Sequence, residues 1–296
     1  MRVAVTGASG LIGRRVVEAL RARDDEVTVL SRDPRRGERW NPADEPAPAQ
    51  ALAGREAVVH LAGENIAQRW SASAKREIEA SRVQGTRNLI AGLAALAADK
   101  RPPTLVSGSA IGYYGPHGDE PLDEETPAGP GFLAQTCAAW EAQANAAGEL
   151  GLRVVKVRTG VVLDAAGGAL AKMLPPFRLG VGGPIAGGRQ YVPWIALEDV
   201  VGIVLAAIDG ERWSGAVNAT APAPVRNAEL AKALGRVLHR PALLPVPALA
   251  LKALYGEMSE VVTTGARVMP ARALMNGYEF RYGDVEDALR AALNGR

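Results

Sequence analysis

Three glycines near the amino terminus, Gly7, Gly10 and Gly13, have the spacing G-x-x-G-x-x-G. They follow a β-branched run at residues 2–6 and open an apolar helical pattern that starts at Leu11. In a strand–turn–helix unit, such glycines permit a tight turn, close approach of a pyrophosphate and close helix–strand packing, and the helix dipole faces the phosphates. The spacing therefore predicts a dinucleotide site, with an ordinary strand-to-helix turn as the alternative.

The next predicted strand, EVTVLS at residues 26–31, ends with Ser31, and Arg32 follows it directly. Sites that prefer NAD usually carry Asp or Glu here, to hold the 2′-hydroxyl of the ribose. A hydroxyl and a guanidinium suit a 2′-phosphate instead, because it brings extra negative charge and several acceptor oxygens. These two residues predict NADP(H) as the cofactor. The alternative is a solvated arginine at the start of a loop that contains further arginines.

Alternating strand and helix patterns position this turn. Strands that alternate with helices along the chain are joined by right-handed crossovers, and such crossovers connect parallel strands. The sequence therefore predicts a mostly parallel sheet. The fold class is therefore α/β, a doubly wound parallel sheet. The predicted strands are at 2–6, 26–31, 57–62, 104–109, 152–158 and 215–220, and the predicted helices start at Leu11 and span 73–98, 133–150 and 198–208.

A second, smaller part of the chain is predicted after residue 160. Clustered glycines and prolines there indicate a long irregular excursion, and two helical stretches after Asn227, at 228–238 and 247–256, have apolar faces of their own. We expect them to build a C-terminal α/β substrate lobe against the carboxyl edge of the sheet. The division predicted is a nucleotide-binding domain of residues 1–165 and 190–222 and a lobe of residues 166–189 and 223–296.

Charge and composition exclude several classes of protein. The 34 basic side chains are scattered among 32 acidic ones and leave a net charge of +2, so no nucleic-acid partner is expected. The 48% hydrophobic content is typical of a globular chain. The longest apolar stretch, at 200–208, is too short to cross a bilayer, and the amino terminus has no export signal, so we expect no membrane association.

The scarcity of cysteine and histidine narrows the chemistry further. Cys137 is the single cysteine, which excludes an intrachain disulfide and favours a reducing compartment, so a cytoplasmic protein is expected. His60, His117 and His239 are dispersed and no metal-ligand spacing occurs, so no metal is predicted. His60 is interpreted as a structural residue at a strand end. A small-molecule substrate and a monomer or homodimer complete these expectations.

Several motifs in order carry a family resemblance. The motifs VTGASGLIG at 5–13, HLAG at 60–63 and SGSAIGYYG at 107–115 resemble the extended and atypical short-chain dehydrogenase/reductase superfamily, in its NAD-dependent epimerase/dehydratase branch. That resemblance implies a Rossmann-type fold. A narrower resemblance is to an uncharacterised subgroup named epimerase family proteins, which have a C-terminal domain of unknown function. It is carried by the segments at 61–66, 81–89, 157–163, 176–185, 192–200 and 268–282.

The superfamily resemblance implies hydride transfer at C4 of a nicotinamide. A Ser or Thr orients the substrate carbonyl, and the Tyr of a Tyr-x-x-x-Lys motif exchanges the proton, with a pKa lowered by the Lys. Ser109 matches the first role. The helix that should carry the motif has Cys137 at the Tyr position and Glu141 at the Lys position, so the proton donor must differ.

Tyr113 and Tyr114 are the leading candidates for that donor, because they follow the serine strand at the sheet edge where ligands bind. The alternative is that both rings wall the substrate crevice. Cys137 and Glu141 share one helix face at i, i+4, so a pair facing the cofactor is a further possibility. Against it stands the usual behaviour of a single cysteine as a small buried hydrophobe.

The subgroup resemblance extends the set of ligand-binding residues. It implies polar contacts to the cofactor from Glu77, Arg82 and Arg158, although a solvated helix surface is the alternative for the first two. The complete expected cofactor set is Gly7, Ser9, Gly10, Leu11, Ile12, Gly13, Ser31, Arg32, Leu61, Ala62, Gly63, Glu77, Arg82 and Arg158. The expected substrate-side residues are Glu64, Asn65, Arg189, Gln190 and Trp194.

Together these observations predict an NADP(H)-dependent oxidoreductase that acts on a small carbonyl or hydroxyl compound. Two alternatives remain open at this point. One is a catalytically silent NADP(H)-binding protein that senses redox state or binds a partner, since Tyr-x-x-x-Lys is absent. The other is a nucleotide-sugar epimerase with a displaced base, which the predicted lobe and Arg189 suggest.

Overall fold

The computed structural model describes residues 1–294. The strands are β1 Arg2–Thr6, β2 Glu26–Ser31, β3 Glu38–Arg39, β4 Ala57–His60, β5 Thr104–Ala110, β6 Pro121–Leu122, β7 Arg153–Thr159, β8 Val161–Asp164, β9 Tyr191–Val192, β10 Trp194–Ala196, β11 Gly215–Ala219, β12 Val225–Arg226 and β13 Arg267–Val268. The helices are α1 Leu11–Ala22, α2 Ala49–Leu52, α3 Ala72–Ala94, α4 Phe132–Glu149, α5 Gly168–Arg178, α6 Leu197–Asp209, α7 Asn227–Leu238, α8 Ala248–Tyr255, α9 Glu260–Thr263, α10 Ala271–Met275 and α11 Val285–Asn294. Short 3₁₀ helices occur at Pro34–Arg36, Ala98–Lys100, Ile111–Tyr114 and Gly256–Ser259.

A seven-stranded sheet, in the order β11–β7–β5–β4–β1–β2–β3, forms the centre of the molecule, and all its neighbouring strands are parallel. The chain runs outward from β1 to β3 and then returns to β4 on the other side of β1. A crevice opens at the carboxyl ends of the strands where the order reverses in this way, and ligands bind there in doubly wound sheets. The predicted α/β class with a parallel sheet is confirmed.

Each face of the sheet is covered by helices. Helices α1 and α6 cover one face, over side chains such as Val5 and Val157. Helices α3 and α4 pack on each other across the opposite face, over Val58 and Leu105. Because successive side chains of a strand point to opposite faces, both faces bury apolar residues and the strands are rich in valine.

A second core lies beside the sheet and corrects one prediction. The excursion expected after residue 160 is regular in part, because α5 forms there with Pro175 and Pro176 inside it. Leu170, Leu174 and Phe177 are buried along one side of α5, so tertiary packing outweighs the backbone hydrogen bonds that the prolines remove. The second core is formed by Leu163, Leu170, Leu174, Phe177, Trp194, Ala196, Ala221, Leu230, Ala231, Ala233, Leu234, Val285, Ala288 and Leu289.

The parallel pair β8–β10 joins the sheet region to this second core, through Leu163 and Trp194. Helices α5, α7 and α11 pack around that pair. The domain boundaries that the sequence suggests therefore remain a prediction. Within residues 1–294, no helix combines the length and apolar character needed to span a membrane.

Helix α8 departs from the expected apolar packing. Leu249 and Leu254 are 78% and 66% exposed, and no residue of the helix is buried. The prediction that its apolar face helps to build the lobe is therefore wrong. The helix is attached at its carboxyl end, where the Arg69 guanidinium donates to the carbonyl oxygens of Ala253 and Leu254 at 3.1 and 3.4 Å.

His60 lies fully buried at the end of β4 and holds two elements together. Its Nδ1 is 2.7 Å from the Thr6 hydroxyl and its Nε2 is 3.0 Å from the Thr86 hydroxyl, so both ring nitrogens are satisfied. Burial lowers the pKa of His60 to about 4, which keeps the ring neutral at physiological pH. The structural interpretation of His60 fits this environment.

We expect His60 to make stability depend on pH. Between pH 6.5 and about 4 the unfolded chain binds a proton that the folded chain does not bind at His60. The free energy of unfolding should therefore fall by about 2 kcal/mol from pH 7 to pH 5 through this residue. Urea unfolding at both pH values would measure the fall. In His60→Asn it should disappear, whereas it should persist in His239→Asn, which changes an exposed histidine.

Candidate functional site

The glycine turn between β1 and α1 has the shape that a dinucleotide requires. Gly7 has φ of +71°, and a Cβ there would lie 2.5 Å from the carbonyl carbon of Leu61. A Cβ at Gly13 would overlap the carbonyl oxygen of Gly7. Only glycine therefore fits at these two positions, where β1, β4 and α1 converge.

The start of α1 is open for a phosphate group. A Cβ at Gly10 would have only the Gly7 oxygen nearby, at 3.3 Å, and no side chain caps the helix. Among residues 1–294, no side chain accepts from the first N–H groups of the helix, and the helix dipole favours an anion there. Ser9 is exposed, and Leu11 and Ile12 are partly buried. The turn residues therefore fit a dinucleotide cofactor.

The start of α5 lies against this turn. Gly167 and Gly168, at the start of α5, lie against Leu11, whose side-chain carbons would be 3.3 to 3.8 Å from a Cβ at Gly167. Leu61 and Ala62, partly buried after β4, border the turn from the other side, and the Ala62 amide donates to the Thr6 hydroxyl at 3.3 Å. That Leu61 and Ala62 contact the cofactor stays a prediction.

Arg32 differs from the arginines that follow it. The guanidinium groups of Arg35 and Arg36 lie 2.9 and 3.6 Å from the Asp33 carboxylate, but Arg32 is exposed and forms no ion pair in the described part of the chain. The Ser31 hydroxyl lies at the end of β2, where it accepts from the Asp33 amide at 3.1 Å. Arg32 is thus available to a phosphate near this strand end.

A charged cluster lies buried under α4 at the carboxyl ends of β5 and β7. The Ser109 hydroxyl donates to the Glu141 carboxylate at 2.7 Å. Arg158 donates to both oxygens of the same carboxylate, from Nε at 2.8 Å and from Nη2 at 3.0 Å. Lys156 Nζ lies 3.8 Å from it. The carboxylate at the position of the motif lysine therefore binds the serine and two cations from β7.

Tyr113 lies on this cluster. The Arg158 guanidinium carbon is 3.5 Å from the centre of the Tyr113 ring, which is a close cation–π contact. Tyr113 is only partly buried, and its hydroxyl has no hydrogen-bond partner among residues 1–294. Of the two tyrosines proposed from the sequence, Tyr113 is the one with a free hydroxyl.

Tyr114 is fully buried, so the prediction that it donates a proton to substrate is wrong. Its hydroxyl donates to Asn218 at 2.7 Å and accepts from Arg158 at 2.9 Å. Burial raises the pKa of Tyr114 to about 12. Tyr114 therefore holds Arg158 in place from the side opposite Glu141.

The structure also bears on the roles expected for Arg158, Trp194 and Cys137. Arg158 is only 3% exposed, and its guanidinium donates to Glu141, to the Tyr114 hydroxyl and to the Glu124 carbonyl oxygen; its implied contact with a cofactor stays a prediction. Trp194 does not line a crevice, because it is buried in the second core and its indole N–H donates to the Ala223 carbonyl at 2.9 Å. Burial raises the pKa of the Cys137 thiol to about 12, as expected for a small buried hydrophobe.

The other substrate-side residues are dispersed. Glu64 is partly buried and Asn65 is exposed, both beside the end of β4. Arg189 is exposed, and the Gln190 amide donates to the carbonyl oxygens of Ile185 and Val262 at 3.1 and 2.8 Å. Gln190 therefore joins the segment around Ile185 to α9. On α3, Glu77 is exposed whereas Arg82 is partly buried, so the two side chains differ in environment.

Glu124 is a buried residue of this region that sequence reasoning missed. Its carboxylate accepts from the Asn218 amide at 2.9 Å and from the Arg272 amide at 3.1 Å, at the start of α10. Its carbonyl oxygen accepts from Arg158 at 3.3 Å. The sequence offers no signal for Glu124, because acidic residues flank it. A signal for the buried charge cluster does exist: Glu141 stands at the lysine position of the motif, and Lys156 and Arg158 share one face of their strand.

The glycine turn lies at the carboxyl ends of the parallel strands, where the strand order reverses, and Ser109 lies near the end of β5 in the same sheet. These features define a dinucleotide-binding protein of the short-chain dehydrogenase/reductase class. The model of the NAD dependent epimerase/dehydratase family matches residues 3–218, and that of a domain of unknown function, DUF1731, matches residues 246–292. The chain belongs to the NAD dependent epimerase/dehydratase family.

Named relatives span almost the whole chain. The epimerase family protein SDR39U1 homolog, chloroplastic, of Arabidopsis thaliana is 43% identical and covers 99% of this chain and 87% of its own length. Epimerase family protein SDR39U1 of Homo sapiens is 38% identical, with coverages of 98% and 99%. The crystal structure of the human epimerase family protein SDR39U1 (isoform 2) with NADPH superposes with a TM-score of 0.90, at 36% identity, over 99% of this chain and 100% of that chain.

Proposed function

We propose that this protein is an NADP(H)-dependent oxidoreductase that interconverts a small carbonyl compound and its alcohol. The observation that carries the proposal is the free Tyr113 hydroxyl on a ring stacked 3.5 Å from the Arg158 guanidinium, above a Ser109–Glu141 hydrogen bond. It supplies a proton donor and a polar anchor at the sheet edge where this family binds its cofactor. A fixed cation beside the phenol compensates for the missing Tyr-x-x-x-Lys motif.

The glycine turn, Leu61 and Ala62 would hold the cofactor, with Arg32 on the 2′-phosphate. Support comes from the human relative, whose crystal structure is with NADPH, and from Arg32, which lacks an ion pair within residues 1–294. When bound, this cofactor supplies or accepts the hydride. A side chain at Gly7 would collide with the backbone of Leu61 and Ala62, which directly follow β4.

In this proposal Tyr113 exchanges the proton with the substrate oxygen. The positive charge of Arg158 at the ring face stabilises negative charge that develops on Tyr113 as the proton leaves. The Ser109 proton is donated to Glu141, so Ser109 offers its lone pairs to the crevice. The single hydroxyl proton of an alcohol substrate passes to the Tyr113 oxygen and returns to the carbonyl oxygen in the reverse direction, so Ser109 serves as part of the polar wall of the crevice and not as an acceptor of that proton.

Replacement of Tyr113 tests the reaction. With NADPH and a panel of small aldehydes and ketones, we expect NADPH oxidation that falls about 100-fold or more in Tyr113→Phe, as for loss of a general acid. Ser109→Ala should also be slower. Tyr282→Phe, in the second core, is the matched control and should retain the wild-type rate.

The outcomes separate the candidate functions. NADPH binding without turnover on any compound would favour the redox sensor. Exchange between isomers of a nucleotide sugar, with no net cofactor change, would favour the epimerase. Unchanged turnover in Tyr113→Phe would show that another group donates the proton.

Arg32 sets the cofactor preference in this proposal. Isothermal titration should show NADPH binding about 10- to 100-fold tighter than NADH, because a charge-assisted contact contributes about 1.5–3 kcal/mol. Arg32→Ala should remove most of that difference and leave NADH binding unchanged. Arg35→Ala should not, because Arg35 pairs with Asp33. Equal affinities of the wild-type protein for both cofactors would contradict the role of Arg32.

We also propose a cytoplasmic location, a small-molecule substrate and a monomer or homodimer. The single cysteine, Cys137, is buried and cannot form an intrachain disulfide, which suits a reducing compartment. Light scattering of the purified protein would give the oligomeric state.

A further inference from the structure

Apolar side chains at the start of α4 lie next to the segment that carries Tyr113. A Cβ at Gly112, the residue before Tyr113, would lie 3.2 Å from the Leu133 Cβ. The Phe132 ring packs edge-to-face on the Trp70 ring, with 5.2 Å between the ring centres. Phe132, Leu133 and Trp70 are all partly exposed. These three side chains, which we call the apolar patch, therefore begin beside the residue whose hydroxyl is free.

The apolar patch has no polar side-chain group left for a ligand. Its single polar side-chain atom, the indole nitrogen of Trp70, donates to the Ile66 carbonyl at 2.9 Å. Phe132 and Leu133 have hydrocarbon side chains. A polar ligand group that covered the patch would lose its hydrogen bonds to water without replacement, which is unfavourable. The patch therefore favours a hydrocarbon group of a ligand.

The cations that flank Trp70 are engaged in holding α8. Arg69 donates from Nη1 to two carbonyl oxygens in the last turn of that helix. Lys75 forms an ion pair with Glu257, which follows the end of α8. Trp70 lies between Arg69 and Lys75 in the chain. The carboxyl end of α8 is therefore fixed beside the apolar patch.

Helix α8 extends the apolar surface away from Tyr113. Leu249 and Leu254 are largely exposed on this helix, although leucine is a residue type that is usually buried. Contiguous exposed apolar surface is typical of a ligand-binding groove. A hydrocarbon group that starts at Tyr113 and follows the apolar patch leads toward α8.

We propose that the substrate carries an aryl or alkyl group beside its carbonyl or hydroxyl carbon, and that this group binds between the apolar patch and α8. Such a group would remove apolar side chains from water, which is favourable in proportion to the area covered. The reaction of this substrate rests on the proposed function, whereas the binding of its hydrocarbon group does not. The alternative occupant of α8 is a second copy of this chain.

A series of alkan-2-ones tests the proposal. Because NADP⁺ has no hydride to give, isothermal titration of NADP⁺-saturated protein with these ketones measures binding alone. Affinity should rise about two- to fourfold per methylene from 2-butanone to 2-octanone, with a negative change in heat capacity. Phe132→Ala should remove most of this gain.

Substitutions on α8 test the far end of the surface. Leu249→Ser with Leu254→Ser should weaken 2-octanone binding by about 10-fold and leave 2-butanone binding unchanged. Both leucines are exposed, so this variant keeps the packing of the core. Leu274→Ser with Met275→Ser, an exposed pair on α10, is the matched control and should bind both ketones as the wild-type protein does.

Equal affinity for all chain lengths in the wild-type protein would overturn the proposal. So would a chain-length dependence that persists in both Phe132→Ala and the α8 variant, because the hydrocarbon would then bind elsewhere. A dimer that dissociates in the α8 variant, with unchanged 2-octanone affinity, would assign α8 to a second copy and overturn its role here. Chain-length-dependent binding without turnover with NADPH would support the proposal and count against the oxidoreductase. Turnover of short and long ketones at the same kcat/KM would do the reverse.

Discussion

Glu141→Ala is expected to lower the free energy of unfolding by about 3–5 kcal/mol, the effect of leaving a buried cation without its partner. Glu141 is the bidentate partner of Arg158, and both side chains are buried under α4. Removing the carboxylate leaves the guanidinium buried with only Tyr114 and the Glu124 carbonyl oxygen as hydrogen-bond acceptors. Urea unfolding at pH 7 would measure the loss.

Two variants make this expectation specific. The double variant Glu141→Ala with Arg158→Met should be more stable than Glu141→Ala alone, because the more deeply buried of the two cations is removed together with its partner. Asp209→Asn breaks an exposed bidentate pair with Arg23 and should cost less than about 1 kcal/mol. A loss below 1 kcal/mol in Glu141→Ala would show that the buried pair is not needed for folding.

Gly10→Val is expected to weaken NADPH binding by about 100-fold or more while the protein still folds. Gly10 has φ of −74° and ψ of 168°, which valine adopts, and a Cβ there meets only the Gly7 oxygen at 3.3 Å. The added side chain would instead fill the space through which a pyrophosphate approaches the backbone. Isothermal titration with NADPH would measure the loss.

Gly148→Val supplies the comparison for Gly10→Val. Gly148 is exposed near the end of α4, where a Cβ meets nothing within 4 Å, so NADPH affinity should be unchanged. A thermal melt of each variant would show that both fold. Wild-type affinity in Gly10→Val would mean that the turn does not seat the pyrophosphate.

The features that the sequence revealed are those in which local backbone geometry dictates residue type. Gly7 and Gly13 are recognisable because any Cβ there meets backbone atoms. The sheet is recognisable because runs such as that at 57–60 are buried on both faces. Ser31 and Arg32 are visible for a related reason, since Ser31 ends a strand and Arg32 directly follows it.

What the sequence could not reveal depends on contacts between distant segments. Arg158 looks like a ligand-binding cation until the position of Glu141 is known, because the pairing is set by how α4 crosses β7. Trp194 looks like a crevice residue until the second core is seen around it. Pro175 disfavours a helix locally, and only the packing of α5 explains why one forms.

The second core also determines how cooperatively the protein unfolds. Its residues come from four separate stretches, at 163–177, 194–196, 221–234 and 285–289, and helix α6 and strand β11 of the main sheet lie between the second and the third of them. No single cut divides the polypeptide into a piece that carries the sheet and a piece that carries this core. A fragment ending at residue 222 would leave Trp194 and Leu163 facing water. We therefore expect one heat-absorption peak in calorimetry and rapid degradation of truncated forms, rather than a nucleotide-binding half that survives by itself.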